Sequence, residues 1–157
     1  MKLTNGQLFP TMTASRVGGG EMVLPQDVVG HWAIILFYRG HWCPYCRQQL
    51  LGFQQAIEQL HALNAEVVAL SVDTLEQAQQ TVERHHLSFP VLYGIDAHEV
   101  AEKTGAFTNE DPHYIQATGF VLHPDGKILQ AVYSTGAVGR FVAADIIGLL
   151  KYLQQQH

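Results

Sequence analysis

Cysteine is scarce in this chain, with two in 157 residues. That excludes a fold stapled by several disulfides and a zinc site built from two cysteine pairs. Charge is scarce as well: 15% of residues are charged against an apolar share of 47%, where globular chains usually carry ~25% charge. A long disordered tract needs the opposite balance. Lysine and arginine total 9 against 14 acidic residues, for a net charge of −5, which leaves no broad basic face for nucleic acid. Apolar runs stay well short of the ~20 residues of a membrane span. Met1 to Gly6 lacks the apolar core and cleavage pattern of a secretory signal. The expectation is a cytoplasmic protein, one domain over residues 1–157, with neither nucleic acid nor membrane as partner.

Both cysteines fall in one stretch, Phe37-Tyr38-Arg39-Gly40-His41-Trp42-Cys43-Pro44-Tyr45-Cys46-Arg47. Before it, Ala33-Ile34-Ile35-Leu36-Phe37 is continuous and apolar between Gly30 and Gly40, as a strand buried on both faces requires. After it, Cys46, Leu50, Phe53, Ile57, Leu60 and Leu63 recur at helical spacing. Pro44 suits the first helical position, which makes Cys43 the cap. A sulfur there meets unpaired N–H groups and the positive end of the helix dipole, and both favour thiolate. Such surroundings bring a thiol from ~8.5 toward the ~3.5–7.5 range of reactive cysteines. Cys46, one turn on, can close a disulfide with Cys43, so the stretch reads as a redox dithiol. Other readings are weaker. Zinc lacks a second cysteine pair, and His85-His86 is a poor distant donor because neighbours on a helix diverge. Haem attachment needs a histidine where Arg47 stands, and a zinc deaminase needs an H-x-E upstream. Inert burial leaves the strand-to-helix setting unexplained. No metal and no cofactor is expected.

Strand and helix patterns alternate along the rest. Thr11 to Ala14 and Glu21 to Leu24 are short strand candidates around Gly18-Gly19-Gly20. Asn64 is a stop signal before a buried strand over Glu66 to Val72. Asp73-Thr74-Leu75-Glu76 has the spacing of a capping box, for a helix burying Leu75, Ala78, Val82 and His85. Phe89 to Leu92 is a strand, and a helix from Asp96 closes at Gly105. Thr118 to Leu122 and Lys127 to Tyr133 flank a Pro-Asp-Gly turn and form a hairpin. Ile146, Leu149, Leu150 and Leu153 share one side of a last helix, with Gln154 to His157 as its frayed end. The expected class is α/β: a thioredoxin-like fold with a central mixed sheet flanked by helices and an N-terminal β-hairpin extension.

These residues carry a resemblance. The chain is similar to peroxiredoxin-like redoxins of the alkyl hydroperoxide reductase/thiol-specific antioxidant class, from about Leu3 through Leu153. The match rests on the dithiol stretch, Val67-Val68-Ala69-Leu70-Ser71-Val72-Asp73, Phe89-Pro90-Val91-Leu92, and Gly119-Phe120-Val121-Leu122-His123-Pro124-Asp125-Gly126-Lys127. It implies that Cys46 holds the place of the peroxide-attacking cysteine. The class places a proline where Arg39 stands, a hydroxyl where Cys43 stands, and an arginine near Ala117, where none is found. Arg39 or Arg47 would then have to supply the positive charge that peroxide cleavage needs. Thioredoxins and glutaredoxins attack with the cysteine at the place of Cys43. Their cis-proline would fall near Thr118 or Gly119, and their buried acid where Phe37 stands.

The expected activity is therefore thiol–disulfide exchange in cell redox homeostasis. Cys43 attacks, Cys46 (the less exposed sulfur) resolves, and an external thiol reductant resets the pair. Substrates would be protein or low-molecular-weight thiols and disulfides. A hydroperoxide-reducing enzyme led by Cys46 is the alternative, and a non-enzymatic metal- or protein-binding module is the third class. Trp42 and Tyr45 offer flat docking surface or core. His41 can shuttle a proton, and Arg39 and Arg47 can favour a thiolate. Ser134 to Arg140 reads as a turn and Glu110-Asp111-Pro112-His113 as a solvated acidic loop. The nine histidines, lacking i, i+4 pairs, read as surface residues.

Overall fold

Six residues of unbroken apolar sequence, Trp32–Phe37, form the central strand β3, which follows the hairpin of β1 (Met12–Arg16) and β2 (Glu21–Leu24). The computed structural model describes residues 1–155. Strand β3 pairs in parallel with β4 (Ala65–Leu70) and antiparallel with β8 (Thr118–Leu122). Its residues alternate between two cores, as a strand covered on both faces must. Ile34 and Leu36 join Leu50, Phe53, Ile146 and Leu150 on one face; Ala33, Ile35 and Phe37 join Phe9, Leu24, Phe120 and Leu122 on the other. With β5 (Val91–Tyr93) and β9 (Ile128–Tyr133), the mixed sheet has the order β2-β1-β5-β4-β3-β8-β9. That is the thioredoxin-like arrangement, with the expected N-terminal hairpin added along the β5 edge.

The helix after the dithiol departs from the sequence pattern. One helix was expected from Cys46 to Leu63; the chain forms α1 (Pro44–Gln55) and α2 (Ile57–Ala62), joined at Ala56. There the Ala56 N–H is shared among the carbonyls of Gly52, Phe53 and Gln54, a tightened turn. The apolar face still continues through Ile57 and Leu60. Asn64, at φ 60°, stops the run; its amide donates to the Gly30 carbonyl and its Oδ1 meets His31 Nδ1.

The capping box of α3 (Leu75–His85) is formed by Thr74 and Gln77, one residue later than expected. Leu75 consequently lies at the first helical position, 44% exposed, and Ala78 and Thr81 take the buried face. Asp96 caps α4 (Ala97–Thr104), and Gly105 closes it at φ 81°. The acidic stretch Glu110 to His113 is exposed through Pro112, as expected, but it is the turn of a small hairpin, β6 (Thr108–Glu110) with β7 (His113–Ile115). The last helix, α5 (Ala143–Gln155), buries Ile146 and Leu150. Gln154 is part of it and donates to the Leu63 carbonyl; Gln156 and His157 lie outside the described residues. Among the described residues, no helix is long and apolar enough to cross a membrane.

Candidate functional site

The strand-to-helix junction at β3 and α1 places both sulfurs on the same core face. Cys43 is the N-cap of α1, with Pro44 at the first helical position. Its sulfur accepts from the Cys46 N–H at 3.3 Å, and the two sulfurs lie 2.6 Å apart. The backbone N–H of Arg39 donates to Cys46 Sγ at 3.4 Å. Both cysteines are reduced, and both are 0% exposed. Neither sulfur touches solvent, and Cys46 is the more deeply enclosed of the two, as expected. Electrostatics separates them further. Burial works to raise the Cys43 thiol, but the thiol and N–H of Cys46, the Arg39 guanidinium and the charge of Arg140 outweigh it and bring it down. Burial dominates for Cys46, against the lowering charge of Arg140, and pushes its thiol up. These surroundings favour ionisation of Cys43 over Cys46.

Two guanidinium groups hold this arrangement. Arg39 Nη1 lies 3.8 Å from Cys43 Sγ, while its Nε donates to Gln116 Oε1 and its Nη2 to the Tyr114 hydroxyl, each at 3.0 Å. Its plane also lies near the Trp42 and Tyr114 rings, 4.9 and 5.2 Å from their centroids. Tyr114 lies on β7 and Gln116 just beyond it, so the unforeseen hairpin anchors Arg39. Arg140 comes from the turn before α5: its Nη2 is 3.4 Å from Cys46 Sγ, and its Nη1 donates to Gln49 Oε1 at 2.6 Å. Gln49 in turn donates to the Phe141 carbonyl. The Phe141 ring fills the space that a side chain on Gly119 would need, with ring atoms 2.7 and 2.8 Å from an ideal Cβ there. The residue near the expected cis-proline position thus seats the element that carries Arg140.

The remaining residues distribute as follows. Trp42 is 44% exposed and meets Tyr114 edge-on, and Tyr45 is 48% exposed; neither is core. Arg47 lines a groove with His41, Gln80, Arg84 and His85 and has no hydrogen bond to either sulfur. His41 Nδ1 lies 3.3 Å from Asp73 Oδ1. Asp73 is a buried acid that the sequence reading did not place: 4% exposed, with Oδ2 lacking a partner. Phe37 faces the opposite core, and Asp73, which follows β4, is not among the groups acting on either sulfur. Among the described residues, no further Cys, His or carboxylate joins the two sulfurs as a metal-ligating group.

Burial raises the Asp73 carboxyl, against the lowering effect of His41 and Ser71. A carboxyl raised on folding contributes stability that is complete below its unfolded value of ~3.9 and is lost as pH rises through its folded value. Asp73→Asn should therefore gain stability relative to the native chain between pH 4 and pH 7. Urea denaturation at both pH values measures this, and parallel pH profiles for the two proteins would contradict it.

A pair of free cysteines at the N-terminus of a helix, on a thioredoxin-like mixed sheet, is the setting of a thiol-based redox protein. A model of the AhpC/TSA family matches residues 5–131, and the chain belongs to that family; it is an antioxidant oxidoreductase. A peroxiredoxin of Thermotoga maritima is 28% identical over 156 residues, covering 95% of this chain and 71% of that protein. One from Methanothermobacter thermautotrophicus is 28% identical over 141 residues, covering 86% and 66%. Among solved structures, Mycobacterium bovis AhpC superposes with a TM-score of 0.82 at 20% identity, covering all of this chain and 96% of that one. The peroxidoxin BcpB of Mycobacterium tuberculosis gives 0.80 at 18%, covering 95% and 97%. Identities this low speak for the fold.

Proposed function

We propose that the chain reduces hydroperoxides with Cys43 and Cys46 as its working pair, within one redoxin domain reset by an external thiol reductant. The observation that carries this is the pair of guanidinium groups at the sulfurs. Breaking an O–O bond leaves negative charge on the departing oxygen, and fixed cations aimed at that charge lower the barrier. The expectation of disulfide exchange rests on the lack of an arginine near Ala117. Arg140, with Arg39 held by Gln116, answers that need from other parts of the chain. The relatives named peroxiredoxin support the same reading.

The lowered Cys43 thiol makes Cys43 the attacking sulfur, in the reverse of the order implied by the family position of Cys46. Its thiolate bonds to the outer peroxide oxygen, the O–O bond breaks, and the inner oxygen leaves as an alcohol or water after taking a proton. Cys43 is now a sulfenic acid. Cys46 gives up its proton and attacks the Cys43 sulfur, forming the disulfide and releasing water. Two electrons from the external dithiol restore both thiols through a mixed disulfide. Trp42 and Tyr45 present exposed ring surface beside the pair for that docking. Exchange with a substrate disulfide is the second reading, favoured by the same Cys43 thiolate at the helix cap.

Stopped-flow oxidation of the reduced chain by hydroperoxide and by a model disulfide, followed by thiol counting, tests the choice. One peroxide should be consumed for each Cys43–Cys46 disulfide, faster than the model disulfide at equal concentration. A pair that the disulfide oxidises while peroxide leaves it reduced would sink the peroxidase reading.

A further inference from the structure

Histidines that look scattered in the sequence are partly gathered by the fold. His98, in the first turn of α4, and His113, on β7, lie with ring centroids 4.0 Å apart and planes tilted by 48°. Glu110 is the cross-strand partner of His113 in the β6–β7 hairpin, and its Oε2 lies 3.9 Å from His113 Nε2. One donor atom from each of the three falls within 4.8 Å of the others. His113 Nε2 is itself buried and has no hydrogen-bond partner, so a ring nitrogen is taken from water with nothing in return. The second Glu110 oxygen, Oε1, accepts from the Thr108 hydroxyl at 3.4 Å, the kind of outer contact that orients a ligating carboxylate.

We infer that His98, Glu110 and His113 form a binding site for Zn²⁺, separate from the dithiol. Two imidazoles and one carboxylate are a donor set that zinc takes, with the fourth position left to water. Imidazole nitrogen also selects borderline divalent ions over Mg²⁺, which prefers an oxygen shell. Tetrahedral bonds of about 2.0–2.1 Å put the donors roughly 3.3 Å apart. The donors need to draw together by up to about 1.5 Å, a movement within reach of side-chain rotation, since His98 and Glu110 are exposed. A cation there would tie α4 to the hairpin, and the chain leaving His113 runs directly into Tyr114 and Gln116, which hold Arg39. The inference does not depend on which oxidant the dithiol uses.

The test removes the competing sulfurs first. Untagged Cys43→Ser/Cys46→Ser protein, stripped with chelator, is titrated with ZnCl₂ by calorimetry, and its melting temperature is read with and without zinc. One zinc per chain should bind and raise the melting temperature. His98→Ala and His113→Ala, added singly, should each weaken binding at least about tenfold, while His61→Ala leaves it unchanged. Circular dichroism checks that each variant is folded. Absence of stoichiometric binding would overturn the site. So would zinc uptake untouched by both alanine variants, or MgCl₂ binding as tightly as ZnCl₂.

Discussion

Cys43→Ser should lower single-turnover oxidation by hydroperoxide by on the order of 1,000-fold or more, the usual scale when a covalent nucleophile is lost. Cys46→Ser should keep the first step and stall after it. Both sulfurs are closed to solvent, while their protons are unequally held. Cys43 accepts the Cys46 N–H, lies 2.6 Å from the Cys46 sulfur and has a guanidinium within 3.8 Å, and its thiol is lowered. Burial raises the Cys46 thiol. A sulfenic-acid probe should therefore label Cys43 in the Cys46→Ser variant at low peroxide. Alkylation below pH ~7, where an unperturbed thiol is mostly protonated, should reach Cys43 first in the native chain. Fast probe labelling of Cys46 in the Cys43→Ser variant would reverse the order and restore the role that the family position of Cys46 implies. With a model disulfide as oxidant, Cys46→Ser should instead retain the mixed disulfide on Cys43, so the two oxidants report on the same sulfur by different products.

How far the site could be read in advance depends on how local each signal is. The strand β3, the Cys43 cap with Pro44, the stop at Asn64 and the closure at Gly105 are encoded within a few residues of where they act, and each is found where the pattern puts it. The two capping templates, Asp73 with Glu76 and Thr74 with Gln77, differ by one residue and fit equally well on paper. The fold uses the second, which leaves Asp73 buried against His41 rather than spent on a helix end. The β6–β7 hairpin escapes the pattern because strands of three residues, Thr-Asn-Glu and His-Tyr-Ile, are too short to show alternation. Arg140 was missed for a different reason: it is 94 residues from the sulfur it touches. Nothing in the spacing of a turn shows which way its last side chain points. The signal that remained was indirect, a glycine at position 119 where a side chain would collide with Phe141.

Arg140→Met should slow peroxide cleavage about 100-fold, or roughly 2.7 kcal/mol of barrier, as losing one fixed donor to developing negative charge does. Methionine keeps much of the volume and the apolar stem while removing the charge and the donors. The guanidinium acts at both sulfurs, since it donates to Cys46 Sγ at 3.4 Å and its charge lowers the Cys43 thiol. Two effects then superimpose, and pH separates them. If Arg140 served only to hold the Cys43 thiolate, raising the pH would restore the rate as the thiol ionises. If it also stabilises the departing oxygen, the deficit should persist at high pH, where Cys43 is fully ionised. The deficit should also be specific to the oxidant, because attack on a disulfide expels a thiolate that is already a good leaving group. Rates with a model disulfide at high pH should stay within a few-fold of the native chain. Gln49→Leu offers a milder version: it removes the 2.6 Å contact that aims Arg140 and the bond to the Phe141 carbonyl, while leaving the charge in the chain. Its loss should be smaller than that of Arg140→Met and of the same kind. A peroxide rate for Arg140→Met that equals the native rate above the Cys43 ionisation would confine Arg140 to thiolate support, and the case for hydroperoxide as substrate would lose its main physical ground.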